Sequence, residues 1–97
     1  MHAVVMEVRI ERPEEASAYV QSQVVPRVKE APGFVRGIWT HSKAGNTGRA
    51  ILVFESGEQA DAVVRGLQKG IYSTGEPVGP AGITLVSAET CEVDAEA

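Results

Sequence analysis

The sequence has one cysteine, few aromatic residues and no long apolar run. A single cysteine, Cys91, excludes an internal disulfide and is typical of a reducing compartment, so we expect a cytoplasmic protein. Glu7 and Arg9 interrupt the first apolar segment, so no stretch approaches the roughly 20 apolar residues of a membrane-spanning helix. These two charges and the lack of a basic segment before Val4 also argue against a secretory leader.

Basic residues are scarce as well. Nine lysines and arginines stand against 13 aspartates and glutamates, which gives a formal net charge of −4. Nucleic acids and anionic membranes are bound through basic surfaces, so neither is expected as a partner. The acidic excess lies after position 88, where no lysine or arginine occurs, and residues 1–88 are formally neutral. We interpret residues 94–97 as an acidic, frayed tail that follows a single domain of residues 1–93.

Apolar periodicity predicts four strands and two helices. Strands are predicted where apolar and polar residues alternate, at His2–Ile10, Phe34–Ser42, Arg49–Glu55 and Ile83–Val93. Apolar residues at helical spacing predict one helix from Pro13 to Ala31 and a second that starts at a Ser56-Gln59 capping box and stops near Gly70.

Two segments interrupt this regular pattern. Pro26 lies inside the first helix and removes a backbone N–H, so a kink or break is expected near Val25. Ile71–Gly82 is rich in glycine and proline and is predicted to be an irregular connection that carries Tyr72.

The element order βαββαβ predicts an α+β protein with the ferredoxin-like arrangement. Right-handed crossovers place both helices on one face of a four-stranded antiparallel sheet and leave the opposite face bare. Val5, Val35 and Trp39 are predicted on the bare face, which is then too apolar for a monomer. We therefore expect a homodimer whose two sheets pack face to face into an eight-stranded α+β barrel with room for one small ligand.

Three features carry a family resemblance: Pro26, the segment Ala31-Pro32-Gly33-Phe34, and Phe54-Glu55-Ser56 followed by Glu58-Gln59-Ala60. With them the chain resembles, from His2 to about Val93, the dimeric α+β barrel superfamily and its antibiotic-biosynthesis monooxygenase-like (ABM) domains. The resemblance implies a small homodimer whose relatives include cofactor-independent, quinone-forming monooxygenases and haem-degrading enzymes.

The resemblance does not favour a haem enzyme. Haem-degrading members use an asparagine, a tryptophan and a histidine from separate elements. Here Trp39 and His41 share a strand, and the only asparagine, Asn46, lies in a turn. We therefore expect no cofactor.

Five side chains are candidates for substrate binding, and no catalytic residue can be assigned. They are Glu7, Arg9, Trp39, His41 and Tyr72. Each has a structural alternative: Trp39 as barrel core, His41 as an exposed polar residue, and Tyr72 as a cover of the core rather than a lid. Glu7 and Arg9 are predicted to share a face, where they either pair inside the barrel or form an ordinary ion pair at its edge.

Metal binding and nucleotide binding find no support in the residue pattern. His2, His41 and Cys91 lack the spacing of metal ligands. The glycines of Ile71–Gly82 match neither a phosphate-binding loop nor a dinucleotide fingerprint.

Two functional hypotheses follow. The first is a cofactor-independent monooxygenase that binds an aromatic or polyketide-like molecule in the barrel. The second is a non-catalytic ligand-binding or assembly module on the same fold, because no acid–base or nucleophile set is recognisable.

Overall fold

Four strands form one antiparallel sheet in the computed structural model, which describes residues 1–69 and 80–97. The strands are β1 (His2–Ile10), β2 (Phe34–His41), β3 (Thr47–Phe54) and β4 (Ile83–Glu92). Their order across the sheet is β2-β3-β1-β4, and each neighbouring pair is antiparallel. The predicted α+β class and four-stranded antiparallel sheet are confirmed, and the strand order is compatible with the ferredoxin-like arrangement.

The first helical region is interrupted where Pro26 predicts it. It consists of α1 (Pro13–Tyr19), a π-helical segment (Val20–Val24) and α2 (Val25–Lys29). Pro13 lies in the first turn of α1, where the absent N–H has no intrahelical partner to lose. Pro26 follows the π-helical segment directly, so its missing N–H interrupts the hydrogen bonding of a continuing helix. The expected break near Val25 is therefore confirmed, and it takes the form of a π turn that ends at Val24.

The second helical region is α3 (Gly57–Lys69), and it begins with the predicted capping box. The Gln59 N–H donates to Ser56 Oγ at 3.2 Å, and the Ser56 N–H donates to Gln59 Oε1 at 3.1 Å. These reciprocal bonds satisfy two backbone donors that the helix start leaves unpaired. A single 3-10 turn, Pro80–Gly82, precedes β4, and Tyr72 lies outside the described residues.

Both helical regions pack on the same face of the sheet. The larger buried cluster there comprises Val4, Ala50, Leu52, Phe54 and Ala60. A smaller one joins α1 to the other end of the sheet through Ile10, Ala16 and Ile83. This helix-covered face holds the core because the apolar side chains of β1 and β3 alternate onto it.

A shift in register changes the face on which Trp39 lies. Phe34 pairs with Phe54, but Arg36 pairs with Val53, so two steps along β2 match one step along β3. The extra residue, Val35, forms a β-bulge, which reverses the alternation of every later side chain in the strand. Trp39 consequently packs against the core cluster. The prediction that it lies on the bare face with Val5 is wrong.

The opposite face, called the open face below, carries Ala3, Val5 and Glu7 of β1 with their cross-strand partners. Val5 pairs with Ile51, which pairs with Ile38. Ile38 is 57% exposed and Ile51 is 48% exposed, so an apolar band of this face meets solvent. Such a band is the feature from which the sequence predicts a second copy of the chain.

The helices are short. Within residues 1–69 and 80–97, none has both the length and the apolar character that crossing a bilayer requires.

Candidate functional site

A cleft of about 280 Å³ lies between the helix-covered face of the sheet and the first helical region. Its floor is formed by β1, β2 and β3, and its roof by α1 and the π-helical segment. The lining is mainly apolar, as ligand sites commonly are, with a few polar groups that can orient a ligand. The apolar lining includes Met6, Val8, Ile10, Val20, Val24, Val25 and Trp39. This is the candidate site.

The π-helical segment shapes the roof of this cleft. A π turn closes i→i+5 hydrogen bonds and so contains one residue more than an α turn. The Val25 N–H donates to the Val20 carbonyl across this turn. The roof residues come in consecutive pairs at a spacing of four, namely Ala16 and Ser17, Val20 and Gln21, and Val24 and Val25. The last two pairs lie at the π turn and on either side of its closing hydrogen bond, so this turn forms the apolar end of the roof.

Polar groups enter the cleft from both sides. On the roof, Gln21 Nε2 donates to Ser17 Oγ at 3.1 Å, and both residues line the cleft. On the floor, His41 ends β2 and pairs with Gly48. The imidazole can donate or accept a hydrogen bond, as can the Gln21 amide and the Ser17 hydroxyl. A ligand with a hydroxyl or carbonyl group would find partners among these three.

Charge is largely kept out of the cleft. Arg49 contributes to the lining, but its guanidinium bonds Glu7, with Nε and Nη2 each 3.1 Å from Glu7 Oε1. Because Glu7 lies on the open face, this ion pair holds the Arg49 guanidinium on the side of the sheet opposite the cleft. Within the described parts of the chain, His41 is the remaining ionisable side chain of the lining.

The structure separates the four candidate residues that it describes. Trp39 and His41 lie two positions apart on β2, and both line the cleft. Glu7 pairs with Arg49 rather than with Arg9, so the predicted Glu7–Arg9 pair is wrong. The reason is that Arg49 lies directly opposite Glu7 in the sheet, whereas Arg9 is one pleat repeat further along and exposed. Tyr72 falls outside the described residues.

Sequence reasoning missed the roof of the cleft. Ser17 and Gln21 are four residues apart, a spacing that places both on one helix face, but nothing in the sequence distinguishes them from surface residues. Nor does the sequence reveal the π turn that precedes Val25. Pro26 was the available signal, since it predicts an interruption at this point without specifying a π turn.

Metal-ligating residues do not cluster in the described structure. Across residues 1–69 and 80–97, no group of three or more His, Cys, Asp or Glu side chains could hold a metal ion. Cys91 has a free thiol. It lies opposite Ala3 in the β1–β4 pairing and faces the open face, on the other side of the sheet from the cleft.

Comparison with protein-family models and with curated proteins finds no match to this chain. The geometry of the cleft and the motif resemblance therefore carry the functional proposal.

Proposed function

We propose that this chain is a cofactor-independent monooxygenase of the ABM type, which binds a small aromatic molecule in the cleft and works as a homodimer. The observation that carries the proposal is that one strand places Trp39 and His41 side by side in an otherwise apolar cleft. Tryptophan supplies a flat surface for an aromatic ring, and histidine supplies a base near neutral pH. The motif resemblance supplies the reaction type.

The proposed reaction uses dissolved O2 and an electron-rich ring carbon of the substrate. For a ring CH2 group, one oxygen atom becomes the new carbonyl oxygen, and the other leaves as water with the two hydrogens. The His41 imidazole takes the first proton, which leaves a resonance-stabilised carbanion that O2 can oxidise.

The homodimer is proposed from the open face. Ile51 on the inner strand β3 and Ile38 on the adjacent edge strand β2 are about half exposed, and Val35 and Val86 at the two β-bulges are also exposed. Large exposed apolar patches commonly mark interaction sites. Packing this face against its equivalent in a second copy would remove the band from water and join two four-stranded sheets into a barrel.

A ligand-binding module without catalysis is the alternative. A catalytic base is usually oriented by a third group. In the described part of the chain, no hydrogen bond to the His41 imidazole is present, and this favours binding without chemistry.

The single tryptophan makes the test direct. Trp39 fluorescence should fall on titration with 1,4-dihydroxynaphthalene or anthrone, and an oxygen electrode should record O2 uptake above the uncatalysed rate with anthrone, which has the ring CH2 group. His41→Gln should lower uptake by at least about 100-fold, the usual contribution of a general base, while binding persists. His2→Gln is the matched control, because His2 lies at the other end of β1, and it should leave uptake unchanged.

The outcomes separate the two hypotheses. Quenching without O2 uptake would identify a binding module and remove the monooxygenase proposal. No quenching by any compound in the panel would contradict both hypotheses, since both require an aromatic ligand beside Trp39.

A further inference from the structure

Gly37 occupies a position where the backbone does not require glycine. It lies in the middle of β2 and does not have a positive φ, unlike Gly33, Gly45 and Gly82 among the glycines of residues 1–69 and 80–97. Glycine inside a strand weakens it, since the chain loses more entropy on folding and gains no side-chain packing. The reason for this glycine therefore lies in its surroundings rather than in its own dihedral angles.

The Trp39 indole fills the space that a side chain at position 37 would occupy. A Cβ atom built on Gly37 would lie 2.8 Å from Trp39 Cη2 and 2.9 Å from Trp39 Cζ3. It would also lie 3.0 Å from Leu52 Cδ2, on the neighbouring strand. The benzene edge of the indole is therefore folded back along β2 and lies against the Gly37 backbone. Aromatic cover of a strand glycine is a known way of compensating for the missing side chain.

The position of the indole affects the floor of the cleft, which β2 and β3 form here. Trp39 and His41 both lie on this floor, two positions apart on β2. Their cross-strand partners on β3 are Ala50 and Gly48, which are the two smallest amino acids. Ala50 and Trp39 both line the cleft. Any side chain at position 37 would force the indole to move, so we expect the shape of the cleft floor to change.

The size and charge of the lining narrow the ligand class. A volume of about 280 Å³ falls just under the usual range of roughly 300–1,000 Å³ for ligand pockets. The cleft therefore suits a ligand at the small end of the usual range, such as a molecule of one or two fused rings. The Arg49 charge is neutralised by Glu7 on the open face, so the lining favours an uncharged molecule.

We infer that the Gly37–Trp39 pair sets the upper size limit of the ligand, and that the cleft takes an uncharged planar molecule of one or two fused rings with a hydroxyl edge. This rests on the proposed binding function, although not on the proposed oxidation. The ring lies on Trp39 under the π-helical segment, and its hydroxyl edge meets His41, Ser17 or Gln21.

The test combines Gly37→Ala, Trp39→Phe and the double variant with ligands of one, two and three rings. The probes are hydroquinone, 1,4-dihydroxynaphthalene and anthrone, titrated by calorimetry because Trp39→Phe removes the fluorophore. The wild type should bind the two-ring compound more tightly than anthrone. Gly37→Ala should lower the affinity for the two-ring compound by at least about tenfold, comparable to the effect of a methylene misfit in an apolar pocket. Hydroquinone should be much less affected.

Trp39→Phe should enlarge the cleft, and the double variant tests whether positions 37 and 39 act together on ligand size. Phenylalanine lacks the outer edge of the indole, so this variant should bind anthrone better than the wild type does. In the double variant the alanine meets no indole edge, and two-ring binding should return toward the value of Trp39→Phe alone. Gly66→Ala is the matched glycine control, because a Cβ there has no neighbour within 4 Å.

The coupling also has a readout that needs no ligand. Gly37→Ala should shift the Trp39 emission maximum, and the loss of thermal stability it causes should shrink in the Trp39→Phe background. If the wild type binds the two-ring compound but Gly37→Ala leaves the preference for two rings over one unchanged, the size limit is refuted and the proposed function stands. If no compound binds the wild type, the proposed function and the ligand class both fall, whatever the stability cycle shows.

Discussion

Glu96 Oε1 lies 3.2 Å from Arg36 Nη2, and this ion pair ties the C-terminal tail to the far edge of the sheet. The tail leaves β4 at one edge, while Arg36 belongs to β2 at the other. Residues 93–96 therefore cross roughly 14 Å, which is about the reach of four extended residues. The Val93 N–H donates to the Met1 carbonyl at 3.1 Å on the way.

The crossing explains a difference in exposure along the open face. Ala3 and Val53 point to this face but are only 4% and 6% exposed, whereas Ile51 is 48% exposed. The tail crosses the end of the sheet where Ala3 and Val53 lie. The segment that the sequence presents as a frayed acidic end thus has no regular secondary structure, yet Glu96 anchors it.

Loss of this anchor should expose the only thiol. Cys91 pairs with Ala3 at the covered end of the open face. Glu96→Gln should speed the reaction of Cys91 with a disulfide reagent about two- to fivefold, since an exposed ion pair contributes up to about 1 kcal/mol. The midpoint of urea unfolding should hardly change.

Glu92→Gln is the control for this prediction. Glu92 has the same charge, but its nearest cation is His2, at 4.0 Å. An equal increase in labelling for both variants would show that net charge, rather than the Arg36 ion pair, governs access to Cys91.

The apolar band of the open face gives a prediction about association. Ile51→Lys places a charge at the centre of the proposed interface, where burying it without a partner is costly. Sedimentation equilibrium should give about twice the chain mass of 10.3 kDa for the wild type and the single-chain mass for Ile51→Lys. Ala62→Lys, on the exposed side of α3, should remain dimeric. A wild-type mass near 10.3 kDa at micromolar concentration would refute the dimer.

Most of the fold follows from local patterns in the sequence. Alternation along β1 and the capping box of Ser56 and Gln59 each agree with the structure, because they depend on residues close together in the chain. The break at Pro26 agrees as well, since its cause is the missing N–H of that one residue.

The errors arise where long-range pairing decides the outcome. The β-bulge at Val35 depends on how β2 pairs with β3, and it moves Trp39 to the other face of the sheet. Likewise, the partner of Glu7 is set by the register that brings Arg49 opposite it. Neither register can be read from the residues of a single strand, so the cleft could not be assembled from the sequence alone.

Two glycines should respond oppositely to alanine. Gly33 has φ of +78°, and a Cβ there would overlap the side-chain amide of Gln59, which caps α3. Gly33→Ala should therefore lower the free energy of unfolding by at least about 1–2 kcal/mol from the left-handed backbone alone. Gly66 lies in α3 with open space around it, and Gly66→Ala should raise the free energy of unfolding by up to about 1 kcal/mol.

Urea titration followed by circular dichroism measures both changes. Ser56→Ala belongs in the same series, since it removes the cap and should cost about 1 kcal/mol. If Gly33→Ala were as stable as the wild type, the contact between the Gly33 turn and the start of α3 would have no energetic role.

The π-helical segment should be convertible into α-helix at the expense of the cleft. A π turn holds one residue more than an α turn, so deleting the exposed Ser22 and replacing Pro26 by alanine permits a continuous helix. The flanking Ala16 and Val28 should keep their contacts with the sheet, and the variant should fold. One residue fewer would then separate Gln21 from Val24, so the roof would be shorter where these two residues line the cleft. Affinity for 1,4-dihydroxynaphthalene should fall by at least about tenfold, as expected for a misfit in an apolar pocket.

Pro26→Ala alone is the matched control, because it restores the N–H but keeps the residue count of the π turn. It should retain most of the affinity, whereas the deletion variant should lose it while showing more helical circular dichroism and a cooperative thermal transition. A deletion variant that binds as tightly as Pro26→Ala would show that the roof of the cleft does not depend on the π turn. The ligand contacts would then lie on the floor, around Trp39 and His41.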